Sequence, residues 1–209
     1  MRLPDTTILS AGEIAEQHEQ LTALWHQQQP AMPPDSHGEF MDTVIAQHLA
    51  NFELWHTEDS ARTPNATDRD LAEVKRNIDR INQRRNDLAE RCDMVLLDYL
   101  RPLNLPNPRA ELHSETPGLI IDRLSILALK IFHTNEEIQR PDAPEGHAER
   151  NRKRHQILIE QRSDLVAALD RLWQQTLRGK RRFKLYLQLK MYNDPALNPA
   201  VYSQDKSSL

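Results

Sequence analysis

The chain has 209 residues, with 27 Lys and Arg against 31 Asp and Glu, for a formal net charge of −4. No apolar run approaches the roughly 20 residues of a membrane span, no basic-apolar leader opens the chain, and the mild negative charge argues against nucleic acid as a partner. The single cysteine, Cys92, excludes an intrachain disulfide and a multi-cysteine zinc site, leaving a soluble, cytoplasmic globular protein as the expectation.

Scarce glycine and β-branched runs, with abundant Leu, Ala, Gln, Glu and Arg, favour helices. The first is expected near 10–28, opened by Ser10-x-x-Glu13, and the second near 37–60, opened by Ser36-x-x-Glu39. A third, near 68–101, carries the clearest period. Its seam of Leu71, Val74, Ile78, Ile81, Arg85, Leu88, Cys92, Val95 and Tyr99 alternates three and four residues apart. Thr116-Pro117 sets a cap before a proline and starts a fourth helix near 117–140. Asp142-x-x-Glu145 opens a fifth near 145–177. The segment 182–192 alternates with period two like a strand but lacks an evident partner, so a sixth helix near 181–192 is expected. The sum is an all-α, single-domain antiparallel bundle of about five to six helices over 1–199, with a flexible tail over 200–209.

The fourth helix is apolar on every side of its wheel, which places it inside the protein, yet it carries Asp122, Arg123, Lys130 and His133. Buried charges need partners or a ligand. Candidate partners lie on two other helices. His48, Asn51, Trp55, Glu58 and Arg62 form one stripe of the second helix, with Asp59 on the neighbouring face. On the third, Arg85 interrupts the apolar seam beside Asn82 and Asn86. The simplest joint arrangement is a polar pocket in the bundle, with Arg85, Arg123 and Lys130 opposing Glu58, Asp59 and Asp122. An internal salt-bridge network that binds nothing is the plain alternative.

Other signals are weaker. Glu53-x-x-His56 is half of a carboxylate-bridged dimetal pattern whose second copy is missing, and His133-x-x-x-Glu137 could add ligands, but no metal set is assigned. Cys92 on the seam reads as a packed thiol. Pro117-Gly118 could offer free amides to an anion, although ordinary capping explains it. The cluster Arg178, Lys180, Arg181, Arg182 and Lys184 reads as a solvated helix start, or as a contact for an acidic partner.

Four blocks are shared with a known family: Asn51-Phe-Glu-Leu-Trp-His through Arg62, Ile81-Asn-Gln-Arg-Arg-Asn-Asp87, Ser114-Glu-Thr-Pro-Gly through Ile131, and Lys190-Met-Tyr-Asn-Asp-Pro195. In them the chain resembles the DUF4254 domain of unknown function. The resemblance implies a small, mostly helical bacterial cytoplasmic protein, often encoded near glycosyltransferases of lipopolysaccharide or cell-surface glycan assembly. The resulting expectation is a protein that binds, or acts on, an anionic phosphorylated sugar or nucleotide sugar. Asn51, Trp55, Arg62, Asn82, Arg85, Asn86, Arg123 and Lys130 would bind it, and Glu58, Asp59 and Asp122 would supply acid–base groups. Alternatives are a non-enzymatic adaptor for a glycosyltransferase partner, as a homo-oligomer if dimeric, and a metal-binding helical protein. No cofactor is specified.

Overall fold

The computed structural model describes residues 8–64, 66–189 and 196–199. Five helices carry the fold: α1 Ala11–Trp25, α2 Glu39–Ser60, α3 Asp68–Leu100, α4 Pro117–Gln139 and α5 His147–Leu177. The tail expected over 200–209 lies outside the described residues. Among the described residues, no helix is long and apolar enough to cross a membrane.

The caps explain where the helices begin, and they differ in part from the sequence patterns. Ser10 accepts from the Glu13 amide and starts α1 as expected. Ser36 does not cap α2. Its hydroxyl donates to Asp42, and Gly38 takes the cap position with a φ of 89°. Likewise Gly146, not Asp142, precedes α5. The complete reciprocal box is Thr67 with Asp70, where the Thr67 side chain accepts from the Asp70 amide and the Asp70 carboxylate accepts from the Thr67 amide.

The helix expected over 181–192 does not form over its described residues. Arg181–Arg182 is a short strand, β2, paired in parallel with β1, Glu111–Leu112. The described residues 183–189 that follow are neither helix nor strand, so the period-two alternation does not mark a strand either, and the partner of the two-residue β2 lies some seventy residues upstream in a loop. Arg181 pairs with Glu111, and the Arg182 side chain donates to the Ala110 carbonyl, so two members of the basic cluster fasten this ribbon.

Helix α4 touches each of the other four helices. Its buried residues include Ile120, Ile121, Leu124, Leu127, Ala128, Leu129 and Ile131, which pack into two apolar clusters. The larger cluster joins α4 to α1, α3 and α5 around Leu96, Leu100, Leu169 and Trp173, with Cys92 fully buried within it and its thiol pKa pushed up by burial. The smaller sits between α1, α2 and α4 around Trp25, Ile45, Phe52 and Leu129.

The entry of α4 is fixed by its closest approach to α3. A Cβ at Gly118 would lie 2.1 Å from the Ala89 carbonyl oxygen, a backbone atom that cannot swing away. The Gly118 amide donates to the buried Asp93 carboxylate at 2.7 Å, so the amide that could have served an anion is already taken. Burial pushes the Asp93 carboxyl up to about 7, against hydrogen bonds from Thr116 and Gly118 that favour its ionised form.

Alanine for glycine ordinarily strengthens a helix by up to about 1 kcal/mol. At Gly118 the sign reverses: Gly118→Ala is expected to cost about 3 kcal/mol through overpacking against α3. Gly12→Ala, whose added carbon meets open space, should be neutral or slightly stabilising in the same denaturation series.

Candidate functional site

A chain of hydrogen bonds runs through the interior and joins α1, α2 and α4, with Arg85 of α3 held against it by charge. The Thr22 hydroxyl donates to the His18 carbonyl at 2.7 Å, which spends its only proton. His48 Nε2 therefore donates to Thr22 Oγ1 at 3.0 Å, and His48 Nδ1 is left as an acceptor. The Ser125 hydroxyl donates to that nitrogen at 2.7 Å. The Asn51 amide then donates to Ser125 Oγ at 2.9 Å and to Asp122 Oδ1 at 3.0 Å. Gln47 also donates to Asp122 Oδ1, and Arg85 Nε lies 3.4 Å from the same oxygen. Gln47, His48, Asn51, Asp122 and Ser125 are all buried.

Burial decides the protonation states. The Asp122 carboxyl is pushed above its ordinary range by desolvation, which the Arg85 charge and the Asn51 and Gln47 hydrogen bonds oppose. Desolvation lowers the His48 imidazole from 6.5 to about 3. His18 stacks on His48 with ring centroids 4.4 Å apart and is likewise held well below its ordinary value, first by burial and then by His48. Both rings are therefore neutral at pH 7, as the acceptor role of His48 Nδ1 and the stacking of the two rings require.

Beside this chain lies a cavity of about 460 Å³, lined by Asn51, Leu54, Trp55, Glu58, Asp59, Arg62, Arg85, Ile126 and Leu129. Six of the residues singled out from sequence meet there: Asn51, Trp55, Glu58, Asp59, Arg62 and Arg85. Asp122 sits behind Arg85 as its counter-ion rather than in the lining. Arg62 pairs with Glu58 and Asp59 at the mouth. Asn86 is buried and Asn82 half-buried on α3, both outside the lining.

Arg123 and Lys130 do not join this group. Arg123 points outward, its side chain 56% exposed and paired with Glu115. Seven residues on, the exposed Lys130 shares with it a shallow groove toward Gln161, Asp164 and Leu165 of α5. Of the three cations expected from sequence only Arg85 lines the cavity, where Arg62 is the other cation, at the rim.

Sequence reasoning missed Gln47, Ser125, His18 and Thr22 in the network. It named His56 and His133 as conceivable metal ligands but missed His26, which joins them. One ring nitrogen from each lies within 4.8 Å of the others. His56 is lowered from its ordinary value by burial first and by the two neighbouring histidines next.

The family described as "Protein of unknown function (DUF4254)" matches residues 41–185. The chain belongs to this DUF4254 family. The match takes in α2 through β2, and so Asn51, Trp55, Arg85 and Asp122, while His18, Thr22 and His26 on the α1 side fall before it. No curated protein and no solved structure matches the chain.

Asp122→Ala would leave Arg85 without its counter-ion and two buried amides without their acceptor. A loss of about 3–5 kcal/mol is expected by urea denaturation. The two neutral histidines predict a pH effect as well. Their folded pKa values lie below the unfolded value of about 6.5, so their contribution is intact above pH 6.5 and is lost as pH falls below it. The slope is about 1.4 kcal/mol per pH unit for each ring. His48→Gln should remove one ring's share of that slope between pH 6.5 and 5, whereas replacing the surface His37 should not.

Proposed function

We propose that this DUF4254 protein binds a small anionic, hydroxylated ring compound of the sugar-phosphate or nucleotide-sugar class in the Trp55–Arg85 cavity. The observation that carries the reading is Arg85. Its guanidinium is only 24% exposed and is held at the cavity wall by Asp122. Yet its buried Nε makes no hydrogen bond, because the Asp122 oxygen it faces already accepts from Gln47 and Asn51. A guanidinium drawn to the cavity wall by charge, with Nε turned to Asp122, suits a phosphate that its terminal nitrogens can meet in a planar two-pronged contact.

The other lining groups fit the same ligand. Trp55 offers an apolar ring face of the kind that packs against a sugar or base. Glu58 and Asp59 are acceptors for hydroxyls at the mouth, and Arg62 holds them there. Asp122 acts on the ligand only through Arg85. The lining supports recognition, and no reaction is assigned to it. A place in lipopolysaccharide or cell-surface glycan assembly in the bacterial cytoplasm is what the resemblance of the family blocks implies for such a ligand.

Thermal denaturation of the full chain with glucose 1-phosphate, UDP-glucose and related compounds tests the reading. A true ligand at 100 times its Kd should stabilise by about 2.7 kcal/mol. Arg85→Lys keeps the charge beside Asp122 but not the fork, so binding should fall at least about tenfold while stability changes by less than about 1 kcal/mol. The absence of any stabilising compound, or equal affinity in Arg85→Lys and Trp55→Ala, would overturn it.

A further inference from the structure

We infer that His26, His56 and His133 form a binding site for a divalent transition-metal ion of the zinc class, with a fourth coordination position open to a neighbouring cavity. The three side chains come from separate places: His26 caps the end of α1, His56 stands near the end of α2, and His133 lies on α4. In each ring Nε2 is buried and has no hydrogen-bond partner. A packed histidine ordinarily satisfies both nitrogens. Here three histidines, each with an orphaned ring nitrogen, gather at one point.

The outer partners fix which nitrogen is free. His26 Nδ1 lies 2.7 Å from the Thr22 carbonyl, an oxygen that can only accept, so Nδ1 carries the proton and Nε2 the lone pair. His133 Nδ1 donates to the Glu136 carboxylate at 2.8 Å, with the same consequence. A carbonyl or carboxylate behind the ring is the usual support of a metal-ligating histidine, since it sets the tautomer and makes the ligating nitrogen more basic.

Ring orientation agrees. The three imidazoles meet steeply in pairs, at 66°, 75° and 74°, with centroids 4.9–5.7 Å apart. This resembles three ligands on one face of a tetrahedron and contrasts with the flat His18–His48 stack at 27°. Aromatic walls hold each ring: Phe132 lies 4.1 Å from His26, Phe52 lies 4.5 Å from His56, and Trp55 is parallel to His133 at 5.1 Å. The nitrogens, within 4.8 Å of one another, would close to about 3.3 Å around an ion with bonds of about 2.0 Å.

The donor set selects the metal. Three neutral imidazoles with no thiolate suit zinc and its first-row neighbours rather than calcium or magnesium, which want oxygen. Three protein ligands leave one position for water or another ligand. His26 and His56 border a cavity of about 850 Å³ whose other walls include Glu53, Arg80 and Arg84, and that opening gives the fourth position its access.

The test uses the full chain stripped with a chelator and dialysed. Titration with Zn²⁺, and with Co²⁺ as a spectroscopic probe, should show one equivalent bound, with the intense visible absorption of tetrahedral cobalt. Long-range proton–nitrogen spectra of the zinc-loaded wild type should show three rings coordinated through Nε2. His26→Gln, His56→Gln and His133→Gln should each weaken zinc at least about 100-fold, and Glu136→Gln about 10-fold. His37→Ala should have no effect. No stoichiometric binding by the wild type, coordination through other rings, or undiminished affinity in a folded glutamine variant would each overturn the site. The ring spectra decide the matter even if a variant fails to fold.

Discussion

One buried carboxylate organises this fold. Asp122 enters the interior on the helix that touches all others, and its Oδ1 is the common target of Gln47, Asn51 and Arg85. A carboxylate there is tolerable only because α2 brings two amides and α3 brings a guanidinium to meet it. A shift of any of these helices by one turn would strand a charge away from water, a cost of several kcal/mol that apolar packing alone would not impose. The register of three helices is thereby set by a single oxygen. The Asn51–Ser125–His48–Thr22 chain extends the same restraint to α1.

This restraint also shapes the space beside it. Because the amides satisfy much of Asp122, Arg85 is drawn in by charge and keeps its Nε unspent. A salt bridge formed only for stability would close both partners on each other. Replacing such a group with apolar residues often costs nothing, so its persistence says more about geometry than about stability. Here the geometry it maintains is a guanidinium at the wall of a cavity that also carries Trp55.

How much of this was legible in the sequence depends on the range of the interactions. Five helices followed from periodicity, with the caps of α1 and α4 read correctly and a sixth helix expected where none forms among the described residues, and the interior position of α4 followed from its all-round apolar wheel. That wheel showed that Asp122 needed partners but not which neighbour each side faces. Arg123 is one residue and about 100° further round, enough to carry it to Glu115 and solvent. Lys130 is two turns beyond Arg123 and follows it onto the same outer groove. The β1–β2 ribbon was invisible for a different reason: its two halves are two residues each and some seventy apart, with no pattern in either to announce the other. His26 was missed likewise, since a residue that caps one helix has no periodic relation to His56 or His133.

The two polar regions prove to be consecutive stretches of one seam between α2 and α4. On α4 the residues Asp122, Ser125, Leu129 and His133 succeed one another at three- and four-residue steps, and on α2 so do His48, Asn51 or Phe52, and Trp55 or His56. At the Asp122 end the hydrogen bonds converge on one carboxylate oxygen, while Gln47 Oε1, Arg85 Nε and both ring nitrogens of His18 stay without hydrogen-bond partners. Toward the His133 end the hydrogen bonds between helices run out, and the Nε2 atoms of His26, His56 and His133 are likewise left without partners. Trp55 stands at the junction, lining the cavity while its ring lies parallel to His133. A seam evolved only to lock helix register would satisfy its polar atoms along its whole length, because each orphan subtracts from the stability that the lock provides. Orphans occur along the whole seam, and what distinguishes the His133 end is that three of them, from His26, His56 and His133, gather at one point, the arrangement of a scaffold that holds them ready for something the chain itself does not supply.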